Sequence, residues 1–580
     1  MQTLRATLPG LLRPMLALLA FWLWQGYAQA ANASLILDNG KIVTVDSRFS
    51  IAQAVAIQGN RIVRVGASRD VLAAERGPST HVIDLHGRTV LPGIIDSHVH
   101  PIEGGLSEFR GPLPIFNSYK AVKEYLLARA KVVPKGKWII VPRTFPTRLA
   151  EMRMPTRDVL DVVSDHPVMF DASYSVILNS YALKMCGITR DTPNPPGGVV
   201  VKDANGEPNG ILKNAQSLIK GLERAEPFTE SEEIAALEAM HQRYVEAGIT
   251  SIIDRALTQK QIAMYAKMKA QNQLHIRTYL TWRMPTDAPI PVLVKRIQDA
   301  PYRRQDGDDW LRFGVFKVTL DGGMTIGTAY QRAPYGPFGK QLYGQTDPDD
   351  RGMLFVPPDK LLAVMRAARD KGWQITAHSQ GGGAVDNLLD AFDALNREKP
   401  IAPVRAHLIH ASFQSPEAIA RMKRMGILAD VQAPWLYLDG PALEKVFGND
   451  GMRYFFPLRS YIDAGIIVAG GTDHMIGFDK NTGTNPYNPF LNMWVEITRK
   501  MKDGRVLHPE QRITREEALK TYTIWGAMMQ ENEKTKGSIE PGKLADLVVI
   551  DRDYLTCPED QIRDIEPVTV ILDGKIVKGT

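Results

Sequence analysis

The chain has 580 residues, 44% hydrophobic and 23% charged, an ordinary globular composition that excludes a disordered or low-complexity protein. The net charge is +6 with no Lys/Arg-rich run, so nothing points to a nucleic-acid partner. Cys186 and Cys557 are too few for a thiolate cluster or a disulfide framework, so any metal site must draw on histidines and carboxylates.

Residues 1–30 read as a secretory signal. Arg5 and Arg13 supply positive charge, residues 15–24 are an apolar run, and Ala28-Gln29-Ala30 gives a small-x-small cleavage pattern. The run is shorter than the ~20 residues a bilayer span needs. No twin-arginine pair occurs, which favours the general secretory route. Cleavage would remove two arginines and no acid, leaving +4. The expectation is a secreted or periplasmic protein with no stable membrane anchor after cleavage.

Residues 34–91 alternate in short segments separated by turn signals such as Asp38-Asn39-Gly40 and Gly59-Asn60. The last fifty residues repeat that style. Neither end has enough strands for its own core, so 34–91 plus 530–580 are expected to share one β-sandwich module. Between them, residues 92–529 alternate strand and helix patterns, with strands expected at 93–96, 250–254, 275–281, 311–319, 374–377, 406–410, 426–430 and 466–470. The clearest helix, 229–247, opens on Thr229 and Glu232 in capping-box spacing. Eight such strands with crossovers predict an α/β fold, a TIM-like (β/α)8 barrel. The ~150 residues between the first two strands are too many for a bare loop. They predict a large insertion, about 101–228, over the barrel mouth.

His98 and His100 end the first strand, and i, i+2 spacing puts both on one face, where they can grip one metal. His378, His410 and Asp473 each end a later strand, at the barrel end where active sites are built. Lys317 lies near the end of the fourth strand. A lysine pointing into a barrel is costly unless its charge is paired, with Asp321 or Asp473, or removed. His241 reads as a core histidine, and His407 and His474 as facing away from the site. Trp138, Trp373, Trp435 and Trp494 suit either an aromatic substrate or a large core.

With those residues in place, the chain resembles the metal-dependent amidohydrolase superfamily. Within it, the chain is similar to the amidohydrolase 3 or YtcJ-like branch, which includes N-substituted formamide deformylases. The likeness rests on PGIIDSHVHP at 92–101, KVTLDGG at 317–323, AHSQGGGAVD at 377–386, the His410 strand, GGTDH at 470–474 and GSIEPGKLADLVVID at 537–551. It implies two divalent ions, zinc foremost. His98 and His100 would hold the more buried ion, and carbamylated Lys317 would bridge to a second on His378 and His410. Asp473 would touch the first ion and handle the proton as the catalytic residue. The implied activity is hydrolysis of an amide-type C–N bond, other than a peptide bond, in a small-molecule substrate by a metal-bound hydroxide. Esters, lactones or carbamates are the alternative for the same centre, and a non-catalytic binding protein is the alternative of another class. The chain departs from the branch pattern at Gly381-Gly382, Ile409 and Tyr174, which bears on the substrate. Tyr174, Asn179, Arg332 and Tyr335 are the candidate substrate-binding residues. A homo-oligomer is compatible with the sequence.

Overall fold

Eight parallel strands form the central sheet: β1 (Ile94–Val99), β2 (Ile249–Leu257), β3 (Arg277–Arg283), β4 (Leu311–Thr319), β5 (Gln374–Ser379), β6 (His407–His410), β7 (Leu428–Gln432) and β8 (Val468–Gly471). They pair in chain order, as the (β/α)8 expectation requires. The computed structural model describes residues 32–222 and 226–579, so the secretory signal expected over 1–30 lies outside the described residues. The strands are buried along nearly their whole length, which is why they read as apolar runs rather than alternating ones. Between β1 and β2, helix Glu230–Glu246 starts with the capping box its sequence announces. Thr229 Oγ1 accepts from the Glu232 N–H, and the Glu232 carboxylate accepts from the Thr229 N–H.

The barrel closes between β1 and the segment after β8. The Asp473 N–H donates to the His98 carbonyl at 2.8 Å, and the His100 N–H donates to the His474 carbonyl at 2.8 Å. Asp96 staples this seam. Its carboxylate accepts from the His98 N–H at 3.0 Å, the Thr472 N–H at 3.1 Å and the Thr472 hydroxyl at 2.7 Å. β8 approaches β1 so closely that a Cβ on Gly471 would lie 2.6 Å from the His98 Cβ and 2.8 Å from its nitrogen.

Strand alternation sorts the barrel interior into layers. Ile253, Val315 and Leu428 join Tyr279 and Ala469 in an apolar plug. Two residues further along the same strands stand Arg255, Lys317 and Asp430, all buried. The chemistry therefore sits on top of a sealed base.

Both termini build the sandwich. Arg61–Gly66, Ala54–Gln58, Leu35–Asp38 and His81–Asp84 form a four-stranded sheet. The facing six-stranded sheet joins Lys575–Lys578, Pro567–Leu572 and Leu547–Ile550 to Thr89–Pro92, Lys41–Val43 and Ile51–Ala52. Leu35, Leu37, Val55 and Ile57 pack inward against Val90, Leu547, Val549 and Ile571. Ile36, Ala54 and Ala56 face the other way, under Val71 of helix Ser68–Glu75, an element the strand pattern of 34–91 conceals. The module is fastened to the barrel by Arg277, whose buried guanidinium donates to Asp546 at 2.7 and 3.0 Å and to Asp573 at 2.9 Å.

The segment between β1 and β2 carries its own five-stranded sheet, in the order Val199–Lys202, Pro208–Lys213, Ser175–Leu178, Val168–Ala172, Ile139–Val141. The hairpin Val168–Ala172/Ser175–Leu178 turns through Ser173 and Tyr174. Ser173 takes a left-handed φ of +74° and donates its N–H to Asp171 Oδ1 at 2.7 Å.

Gly471→Ala forces β8 off β1, and strain of this kind costs about 1–3 kcal/mol. The expected outcome is a thermal unfolding midpoint several degrees lower by circular dichroism. An unchanged midpoint would show that the seam is slack.

Candidate metal centre

The closing seam delivers three candidate ligands to one point. His98 Nε2 and His100 Nε2 lie 3.4 and 3.2 Å from Asp473 Oδ1. The ligand atoms of all three lie within 4.8 Å of one another. His98 Nε2 is fully buried and has no hydrogen-bond partner, the condition expected of a nitrogen that faces a cation. Asp473 and His410 adopt left-handed φ values of +55° and +65°, a backbone cost that the surrounding packing must sustain. The other Asp473 oxygen accepts the Trp435 indole N–H at 3.1 Å, and its carbonyl accepts the Asn485 amide at 3.0 Å. Burial pushes the Asp473 carboxyl up, but His100, His410 and Lys317 outweigh it and hold the group below the usual carboxylate range.

His378 and His410 stand beside this triad, their ring centroids 4.5 Å apart, with His410 5.0 Å from His98. Each of three imidazoles is tied at its outer nitrogen: His98 Nδ1 to Asp430 at 3.0 Å, His378 Nδ1 to Asp321 at 3.0 Å, His410 Nδ1 to Gln432 Oε1 at 2.7 Å. That arrangement puts the proton on Nδ1 and leaves the Nε2 lone pairs for a metal. Burial first, then neighbouring cationic groups, hold His98 and His410 well below the usual imidazole range, so both are neutral, as ligands must be. The donor set of imidazoles and one carboxylate fits a zinc-like ion.

Lys317 pairs with neither Asp321 nor Asp473: no carboxylate lies within 4.0 Å of its ammonium among the described residues. Asp321 is taken up elsewhere, by His378 and by the N–H groups of Gln380, Gly381 and Tyr330 at 2.8–3.0 Å. Burial pulls the Lys317 amine down to about 7, with Asp473 opposing and Arg255 and Arg283 adding to the shift.

Beneath the ligands lies a polar layer absent from the expected site residues. Asp430 accepts from Ser97 Oγ at 2.7 Å and sits 3.1 Å from the Arg255 guanidinium. Arg255 also reaches the Ser97 carbonyl at 2.8 Å and His407 Nε2 at 2.9 Å. Burial lifts the Asp430 carboxyl to about 6, against Arg255, Ser97 and Lys317. Leu428, Asp430 and Gln432 share one face of their strand, but a single strand does not say which face becomes the interior. His407 is absorbed in this layer. His474 bonds the Tyr244 hydroxyl and the Gly477 carbonyl, both at 2.8 Å, and His241 packs on Tyr265 in the core.

The ligands open into a cavity of about 260 Å³. His100, Lys317, His378, His410 and Asp473 line it from the barrel, and Arg143, Phe145 and Tyr174 from the insertion. Tyr174 lies with its ring centroid 6.0 Å from that of His378. A larger cavity of about 610 Å³ between Thr192–Lys202 and Gln345–Met353 contains none of the ligands.

The other three candidate substrate-binding residues do not line the ligand cavity. Asn179 caps helix Ser180–Cys186: it accepts from Val168 and Ala182 N–H at 2.9 Å and donates to the Val163 and His166 carbonyls. Arg332 grips Asp386 through two 2.8 Å bonds and reaches the Phe413 carbonyl. The Tyr335 hydroxyl donates to the Ala329 carbonyl at 2.6 Å, and its ring packs on Tyr343 and Phe447. These contacts also account for Gly381-Gly382. A Cβ on Gly381 would lie 2.1 Å from the Tyr330 carbonyl oxygen, and one on Gly382 would strike the Arg332 guanidinium.

Residues 81–578 match the amidohydrolase family. The chain is 29% identical over 552 residues to the N-substituted formamide deformylase of Arthrobacter pascens, covering 93% of this chain and 97% of that protein. It is 27% identical over 556 residues to the putative amidohydrolase YtcJ of Bacillus subtilis (strain 168), covering 93% and 99%. Among solved structures, an uncharacterized metal-dependent hydrolase from Pyrococcus horikoshii OT3 shares the fold. It has a TM-score of 0.65 and 20% identity, covering 91% of this chain and 99% of that one. With a family match across most of its length and a histidine–carboxylate centre at the mouth of its barrel, the chain belongs to the amidohydrolase family and is a metal-dependent hydrolase.

Proposed function

We propose that the centre hydrolyses an amide-type C–N bond of a small molecule, using two divalent ions bridged by a carbamylated Lys317, in a protein exported through its leader at residues 1–30. One observation carries this reading. Buried side chains from several strands converge on one cavity with their outer nitrogens tied and their inner faces open. The formamide deformylase relative supports the choice of bond. The donor set supports zinc. The low-lying Lys317 amine supports carbamylation, because only the neutral amine adds to CO2, forming a carbamate and releasing a proton.

A divalent ion held there lowers the pKa of a water from 15.7 to about 7 and polarises a carbonyl oxygen. The protein does the rest. Asp473, kept ionised by its neighbours, accepts the proton of the attacking water and returns it to the leaving nitrogen. The Trp435 indole fixes the carboxylate so that one oxygen faces the histidines. The insertion covers the mouth and limits access of bulk water.

Three measurements test this reading. Asp473→Asn is expected to lower kcat by roughly 10²–10⁴-fold on an amide panel while elemental mass spectrometry still finds most of the metal; near-normal turnover would remove Asp473 from the mechanism. Lys317→Ala is expected to drop the metal content from near two ions per chain, with partial recovery in acetate or propionate. Full retention of both ions would reduce Lys317 to a structural residue. Asp430→Asn, which takes the carboxylate from His98, is expected to weaken metal affinity about 10- to 100-fold in chelator competition; unchanged affinity would separate the polar layer from the metal centre.

A further inference from the structure

We propose that the substrate carries a carboxylate close to the scissile amide, and that Arg283 and Tyr174 bind it. This rests on the hydrolase reading above and names the substrate class for it.

Arg283 is the last residue of β3 and lies in register with Lys317 on β4. It lines the ligand cavity. Among the described residues no carboxylate lies within ion-pair distance of its guanidinium and no hydrogen bond engages it. Three other arginines near the barrel are paired. Arg277 is satisfied by Asp546 and Asp573, Arg255 by Asp430 and Ser97, and Arg148 by Asp439. Arg143, across the same cavity, already leans on Asp171 at 3.6 Å and Glu103 at 3.9 Å. Arg283 is thus an exposed fork of donors at the site's edge, held by a strand end and without a protein partner among the described residues.

Tyr174 is the second open donor. Its hydroxyl makes no hydrogen bond among the described residues, while its ring is seated between Phe355 at 5.6 Å and His378 at 6.0 Å. A phenol hydroxyl is protonated at neutral pH and so can donate a hydrogen bond. Arg283 and Tyr174 line the same cavity as Lys317 and His378, and Arg283 lies in register with Lys317 on the neighbouring strand. A guanidinium and a hydroxyl lining one cavity fit a carboxylate, which can accept two parallel bonds from the fork and a third from the phenol. A neutral substrate would cover Arg283 and leave those donors unpaired. Phe145 and Trp435 on the same wall leave an apolar surface for the side chain of such a molecule.

The test uses N-formyl-phenylalanine and its uncharged isostere N-formyl-phenylalaninamide on the zinc-loaded protein, with kcat/KM and calorimetric Kd measured for both. The expected result is a preference of at least about tenfold for the carboxylate. Arg283→Ala is expected to erase it at unchanged metal content, Arg283→Lys to keep part of it, and Tyr174→Phe to reduce it. Equal kcat/KM for the two compounds in the native protein, or a preference that survives Arg283→Ala, overturns the proposal while leaving the hydrolase reading intact. If neither compound is hydrolysed, the choice of a formamide substrate falls and the Kd values decide this one. Tighter carboxylate binding that depends on Arg283 upholds it; equal binding, or binding indifferent to Arg283→Ala, overturns it.

Discussion

The site depends on the hydrogen bonds that close the barrel. Closure requires β1 to meet the chain leaving β8, and the residues that make that contact are the candidate metal ligands. The backbone of Asp473 bonds to the backbone of His98, and that of His100 to His474. The side chains of His98, His100 and Asp473 therefore meet because their main chains are already joined. Asp96 reinforces the seam with three bonds from His98 and Thr472. Its burial lifts the carboxyl to about 7, and the donors that face it pull the other way. A buried acid is a costly fastener. Here it is offset by donors that would otherwise be unpaired where two strands meet without a regular ladder.

The same constraint explains why so much polarity is tolerated inside. A metal centre needs imidazoles with a defined tautomer, and each imidazole needs an acceptor behind it. Those acceptors must themselves be satisfied in a low-dielectric interior. The chain answers with one connected layer. Gln432 supports His410 and bonds Asp430; Asp430 supports His98 and meets Arg255; Arg255 reaches His407. Removing one member would leave a partner buried and unpaired, which costs more than the bond itself is worth. Lys317 is the exception. It stands in that layer's company with no carboxylate partner among the described residues, a contrast that the proposed carbamylation of its amine would resolve.

What was legible in the sequence follows from the range of the interactions involved. The eight strands were legible because parallel strands buried on both faces appear as local apolar runs, and their ends are marked by His98, His378, His410 and Asp473. Both halves of the sandwich were legible by their alternation. Arg255, Asp430 and Gln432 were not, because an isolated strand does not say which side becomes the interior until its neighbours close around it. Asn179, Arg332 and Tyr335 looked like site residues for the reverse reason. Each is a polar or aromatic residue near a loop, and each is consumed by contacts with segments distant in sequence or by helix capping. Tyr174 differs only in where its hairpin is aimed.

That hairpin shows how labour is divided in this fold. The barrel supplies every residue assigned to the metals, from strand ends locked by the seam and the layer below. The insertion supplies Tyr174, Arg143 and Phe145 from a separate sheet with its own core. Ser173 accepts a left-handed backbone to turn Tyr174 over His378, and Asp171 stabilises the turn through the Ser173 N–H. Strain of this kind persists only where the surrounding structure over-determines it. The turn hangs from the insertion rather than from the barrel, and it meets the candidate ligands through the Tyr174 ring on His378. On the proposed reading, the centre sets which bond breaks, and the hairpin together with the end of β3 sets which molecule is brought to it.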